Sequence, residues 1–380
     1  MDAVISAINI LDNKALELTL DKGVISAVRP VDPKPGMSYI CPGGMVDTQV
    51  NGYLGLDYSD PLFSYESVWN ICNALAKTGT LQHFATIVTR PHKTILRNID
   101  CIVEARRSSK TVRSALTGIH IEGNYISSKD GPRGAHDKKY VRRASIEEFD
   151  QYLKHSEGLL KCITVGAEAE GVLDLIRHAV SCGVVVALGH TGATANQIDA
   201  AVEAGASVST HLGNGNYQAI DRFNNPLWPQ LRNNELTASV IADLCHVNPD
   251  LLWIISRCKD SSKIILVSDL APCAGLPLGR LKWGKMKVEI VSDGSVRLAG
   301  TPYLAGAGSS LFKDVFNFAK CTGLPLDKAF SLATRNPVKT YSLDSSRLSI
   351  QEGQNADFIL FDKDGTLKSV YIQGLLTKEA

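Results

Sequence analysis

Thr117-Gly118-Ile119-His120-Ile121 is a short run rich in small and β-branched residues, and it ends in a carboxylate, Glu122. The same construction recurs four times. Residues 184–189 run into His190 and residues 207–210 into His211. Residues 238–242 lead to Asp243 and then His246, and residues 264–268 run into Asp269. Runs that lack polar alternation read as strands covered on both faces, as in a parallel sheet. The reactive side chain falls just past each run, at the carboxyl end of the strand. In a (β/α)8 barrel that end forms the face on which active sites are built. Five such endings predict one constellation around a barrel mouth.

Working outward from these runs, the sequence predicts eight strands at about 45–50, 82–88, 118–122, 161–166, 184–189, 207–211, 237–242 and 263–269. Helical patterns alternate with them, which is the signature of an α/β fold. Val68, Ile71, Cys72 and Leu75 share one helical face over 67–77. Ser145 with Glu148 reads as a capping box opening a helix over 145–155. Thr194 is an N-cap for 194–204, with Gly205 just past its end. Residues 281–298 read as two strands around the turn Asp293-Gly294, and 326–333 as a helix. Both ends of the chain are β-rich, and neither has enough apolar surface for a core of its own. The expectation is a (β/α)8 TIM-like barrel over 43–344. A small β-sandwich domain would be assembled from the two termini, 1–42 and 345–380.

Composition limits the partners. Forty Lys and Arg against 39 Asp and Glu leave a net charge of +1 in 380 residues. No basic excess points to nucleic acid. No apolar stretch is long enough to span a membrane, and Met1-Asp2-Ala3-Val4 does not open a secretory leader. The nine cysteines form no C-x-x-C pair. An odd count without a leader predicts reduced thiols and a cytoplasmic protein.

Two imidazoles and a carboxylate, His190, His211 and Glu122, make a three-ligand set for a borderline divalent ion with one position left for water. Zn2+ is the first expectation, and Fe2+, Co2+ and Mn2+ accept similar ligands. Such an ion brings the pKa of its water near neutrality and polarises a carbonyl. Asp269 beside it would act as general base and then acid. His136 is either a donor to an oxyanion or a surface histidine, and His246 either binds substrate or packs. Asn214-Gly215-Asn216 offers backbone N–H groups to an anion, and Arg222 could pair with a phosphate or carboxylate. Gly306-Ala307-Gly308-Ser309-Ser310 is an anion site at a helix start or a plain turn. His83, His92, His120, His155 and His178 are read as structural.

Several motifs recur in one order: Pro42-Gly43-Gly44 through Asn51-Gly52, Gly118 to Gly123, Lys129 to His136, Leu188-Gly189-His190-Thr191, Ser209-Thr210-His211-Leu212, Ile241-Ala242-Asp243 with His246, Ser268-Asp269, and Ala333 to Pro337. In these the chain resembles the N-acetylglucosamine-6-phosphate deacetylase family of the amidohydrolase superfamily, over almost its whole length. The resemblance implies metal ligation by Glu122, His190 and His211, and general base and acid chemistry by Asp269. His136 would polarise the acetyl carbonyl. Asn214, Gly215, Arg222 and His246 would hold an amino-sugar phosphate, with a homodimer supplying one phosphate contact. Many amidohydrolases hold a second metal with a His-x-His pair on strand one. Here that place reads Gln49-Val50-Asn51, so one ion per chain is expected. Departures cluster in the substrate loops, at Leu212 to Asn216 and at Phe223 to Trp228. The expected reaction is hydrolysis of an N-acetyl amide, releasing acetate. The alternatives are a related enzyme acting on another N-acyl sugar or an N-acyl amino acid, and a non-catalytic barrel.

Overall fold

The computed structural model describes residues 3–283, 286–301 and 304–379. Eight parallel strands hydrogen-bond in chain order: Met45–Val50, Thr80–Val88, Leu116–Glu122, Leu160–Val165, Val185–Leu188, Val208–Ser209, Thr237–Val240 and Ile264–Leu266. The sheet closes on itself. Val50 bridges Leu270 in parallel, Asp269 N–H donates to Gln49 O at 3.0 Å, and Asn51 N–H donates to Leu270 O at 3.1 Å. The fold is the expected (β/α)8 barrel.

Five strands stop short of the predicted ends. The backbone turns into the left-handed region at His190 (φ 48°), His211 (φ 30°) and Asp269 (φ 51°). The ladder cannot continue through such residues. Apolar character marked where each run lies, and the backbone turn marked where it ends.

Phe84, Cys162, Ala187, Val208, Ile241, Ile265, Val267 and Tyr341 fill the barrel interior. Above them lies a polar layer in which His120 Nε2 and Thr164 Oγ1 are 2.7 Å apart, as are the Thr164 and Thr210 hydroxyls. The outer helices bury their apolar faces, as on Tyr65–Ala76, where Val68, Ile71, Cys72 and Leu75 are inside. The reciprocal capping box forms at Thr194 with Gln197, but at Ser145 only half of it forms. The Ser145 hydroxyl takes the Glu148 N–H. The Glu148 carboxylate instead accepts from Tyr125 Oη (2.7 Å) and Arg142 Nε (2.9 Å). A phenol and a guanidinium outcompete one backbone amide.

A second sheet has seven strands from both ends of the chain. Its order is Leu375–Glu379, Leu367–Ile372, Phe358–Phe361, Tyr39–Pro42, Ala3–Asn9, Ala15–Asp21 and Val24–Pro30. Leu18, Leu20, Ile25, Ile40 and Phe358 are buried together in it. The seam between the two ends is tight at Gly23 (φ 84°), where a Cβ would lie 2.2 Å from Gly374 O. Gly23→Ala meets both a left-handed backbone and a carbonyl that cannot retreat. It is expected to cost about 2–4 kcal/mol, seen as a lower midpoint of urea unfolding. An unchanged midpoint would refute this account of the seam.

The excursion after the eighth barrel strand is three-stranded: Gly279–Trp283, Met286–Ile290 and Val296–Leu298. The turn at Asp293-Gly294 is where the sequence placed it, but the two-strand reading merged the first two strands into one. Among the described residues no helix is long and apolar enough to cross a membrane. All nine cysteines are free.

Candidate active site

At the carboxyl ends of the barrel strands lies a cleft of about 690 Å³. Asn51, Glu122, His136, His190, His211, Asn214, Gly215, His246 and Asp269 all line it. Its centre is the convergence of three atoms. Glu122 Oε1 is 3.2 Å from His190 Nε2 and 3.1 Å from His211 Nε2, and the two nitrogens are 3.0 Å apart. His190 Nδ1 lies 3.0 Å from Pro132 O. A carbonyl only accepts, so Nδ1 carries the proton and a neutral His190 turns a bare lone pair toward the centre. The His190 ring is seated between two glycines. A Cβ on Gly134 or Gly215 would come within 3.0–3.3 Å of it.

Three electron-rich atoms crowded in this way repel one another unless something positive lies between them. Burial alone would raise the Glu122 carboxyl, yet the His190 and His211 imidazoles beside it hold it well below the usual range. Burial alone would lower His211, yet the Glu122 carboxylate raises it. The cluster therefore draws positive charge inward. The spacing approaches the edge of a tetrahedral shell, about 3.3 Å for ligand bonds near 2.05 Å. The residues present fit a divalent ion. A second grouping, Glu122, His136 and His190, also brings ligand atoms within 4.8 Å of one another. In it His136 Nδ1 is already engaged at 2.7 Å by Thr89 Oγ1.

Asp269 Oδ1 accepts from Asn51 Nδ2 at 2.7 Å. Burial, and then the Glu122 carboxylate, push Asp269 upward. Gln49 Nε2 donates to Glu122 Oε1 at 3.0 Å, so both amides of the Gln49-Val50-Asn51 stretch orient carboxylates. His190, His211 and Asp269 all adopt left-handed backbone. That conformation costs about 1–3 kcal/mol each and is concentrated at functional sites.

His246 Nδ1 is 2.8 Å from Asp243 Oδ2, while Asp243 Oδ1 accepts from the N–H groups of Cys245 and His246. The Asn214 side chain folds back onto His211 O at 3.2 Å. Arg222 is the exception among the predicted residues. It is exposed, does not line the cleft, and lies with its guanidinium 4.7 Å from the Phe223 ring. The glycine-rich segment at 306–310 is not an open anion site either. Ser309 Oγ donates to the buried Asp314 at 2.7 Å, and a Cβ on Gly308 would strike Gly294 O. His83, His92, His120, His155 and His178 bond elsewhere.

The family model for the amidohydrolase family matches residues 39–376. The chain belongs to the amidohydrolase family. Among curated relatives, this amidohydrolase is 26% identical over 370 residues to N-acetylglucosamine-6-phosphate deacetylase of Vibrio furnissii, covering 96% of this chain and 91% of that one. It is 28% identical to N-acetylgalactosamine-6-phosphate deacetylase of Escherichia coli O157:H7, covering 95% and 94%. Among solved structures it is similar to N-acetyl-D-glucosamine-6-phosphate deacetylase of Mycobacterium smegmatis. That protein was solved as an aspartate-to-alanine variant in complex with N-acetyl-D-glucosamine-6-phosphate (TM-score 0.86, 26% identity, 99% of each chain). Membership of the family implies a divalent metal, and the Glu/His cluster is where this amidohydrolase could hold one.

Sequence reasoning passed over three residues around the cleft, Thr89, Arg90 and Trp283, and named Asp243 only as the residue leading to His246. Thr89 and Asp243 hold His136 and His246, while Arg90 and Trp283 line the wall. Thr89 lies one residue past Thr80–Val88, so the strand-end rule would have found it had hydroxyls been counted. Nothing in the local sequence marks Trp283, which reaches the site on the three-stranded excursion.

Proposed function

We propose that this amidohydrolase is a metal-dependent deacetylase of an N-acetyl amino-sugar phosphate, N-acetylglucosamine-6-phosphate first, giving glucosamine-6-phosphate and acetate. The observation that carries the proposal is the meeting of Glu122, His190 and His211 within 3.2 Å in a cleft also lined by Asp269. Glu122, His190 and His211 hold one ion, with Zn2+ favoured by the nitrogen-rich set. A bound divalent cation supplies Lewis acidity toward a water and an amide carbonyl. Asp269, steadied by Asn51, takes a proton from the attacking water and returns it to the departing amine. One water is consumed, the C–N bond breaks, and acetate and the free amine leave. His136 donates to the carbonyl oxygen as negative charge develops there.

Asn214, Gly215 and His246 receive the sugar phosphate. Arg222 lies outside its own chain's cleft, so in this reading it serves a second copy across a homodimer. Exposed Phe223 (73%) and Trp228 (44%) beside it support a covered surface there. The nine free cysteines suit a reducing cytoplasm. Relatives named for gluco- and galacto-configured substrates make both epimers necessary in the assay.

Arg222→Ala tests the phosphate assignment. Loss of a charge-assisted contact of about 1.5–3 kcal/mol is expected to raise KM for the phosphorylated sugar about 10–100-fold. KM for the unphosphorylated sugar should stay as it was. Equal KM values for the phosphorylated sugar in wild type and variant would remove Arg222 from phosphate binding.

A further inference from the structure

The second-row partner of His136 carries more information than the cleft itself. Thr89 is fully buried. Its Oγ1 has two hydrogen-bond neighbours among the described residues: the Asn124 N–H at 2.9 Å and His136 Nδ1 at 2.7 Å. The Asn124 group is a donor, so it fills an acceptor position of the hydroxyl and cannot receive its proton. The one acceptor left for that proton is His136 Nδ1. The reverse arrangement, Nδ1–H donating to Thr89, leaves a buried hydroxyl proton with no acceptor, which is the penalised case. His136 Nδ1 is therefore a lone pair, and the ring proton of a neutral His136 sits on Nε2. Gly123 keeps this pair possible. At φ 115° it has no Cβ, and one placed there would lie 2.1 Å from Thr89 Oγ1 and 3.0 Å from His136 Nδ1.

We propose that Thr89 is a positioning residue that fixes His136 as its Nε2–H tautomer, making that ring a hydrogen-bond donor of the site and not a metal ligand. An Nε2 that carries a proton has no lone pair for a cation. This separates the two ligand groupings and leaves Glu122, His190 and His211 as the set. The use of that donor, toward the oxygen of an amide under attack, rests on the deacetylase reading above. The tautomer does not.

The experiment compares wild type, Thr89→Val and Thr89→Ser as holoproteins. Valine keeps the shape and removes the hydroxyl, and serine returns it. Three quantities are read: the His136 tautomer by 15N NMR of histidine-labelled protein (assigned with His136→Gln), metal content, and kcat with KM. The expected result is Nε2–H in wild type and its loss in Thr89→Val. Metal content should be unchanged in Thr89→Val, with kcat down about 100-fold and KM within threefold. Thr89→Ser should restore both tautomer and kcat. The proposal is overturned by Nδ1–H in wild type or by wild-type kcat in Thr89→Val. It is also overturned by loss of metal in Thr89→Val, which would place His136 in the ligand set, or by a serine variant as impaired as valine. If wild type itself releases no acetate, the deacetylase reading falls, while tautomer and metal content still decide the Thr89 assignment.

Discussion

Asp269→Asn is expected to lower kcat by about 10³-fold or more while leaving the metal in place. General acid–base transfer by a positioned group contributes about 10²–10⁴-fold, and Asp269 is asked to act twice, on the water and on the leaving amine. The substitution is nearly isosteric. Asn51 Nδ2, now 2.7 Å from Asp269 Oδ1, can still donate to the new amide oxygen, so the strand end keeps its shape. Glu122, His190 and His211 are untouched, and metal content should match wild type. Turnover within tenfold of wild type, at equal metal content, would take the proton-transfer role from Asp269.

Removal of the metal should have an effect of similar size. Chelated protein is expected to lose measurable hydrolysis and to regain it when Zn2+ is returned. The ion should also stabilise the fold, because its three proposed ligands come from strands far apart in sequence and converge only in the native chain. At a thousandfold excess over Kd, binding to the native state alone adds about 4 kcal/mol. The sign follows directly: Tm rises with added Zn2+ and falls with chelator. Full activity in protein shown to be metal-free would leave the Glu122–His190–His211 cluster without its proposed purpose.

Much of this fold could be read in the chain because the barrel imposes a strong pattern. Strands covered on both faces must be apolar throughout, and the mouth must be polar, so each run announces its own end. That logic located Glu122, His190, His211, His246 and Asp269 at the cleft without any coordinates. It overran the strand ends because left-handed backbone at His190, His211 and Asp269 leaves no mark in hydrophobicity. It promised Ser145 a full capping box because a sequence cannot show that Tyr125 and Arg142 compete for Glu148. Arg222 looked like a cleft residue because it follows His211 closely in sequence, yet its loop carries it out onto the surface. Thr89 was passed over because its work is done through His136, and that partnership exists only once the barrel brings strand ends together.

The most direct test of the central claim is acetate release from N-acetylglucosamine-6-phosphate and from unphosphorylated N-acetylglucosamine, with metal content determined on the same preparation. The account predicts about one divalent ion per chain and a strong preference for the phosphorylated sugar. Metal-loaded protein that releases acetate from neither, or from both equally, would contradict it.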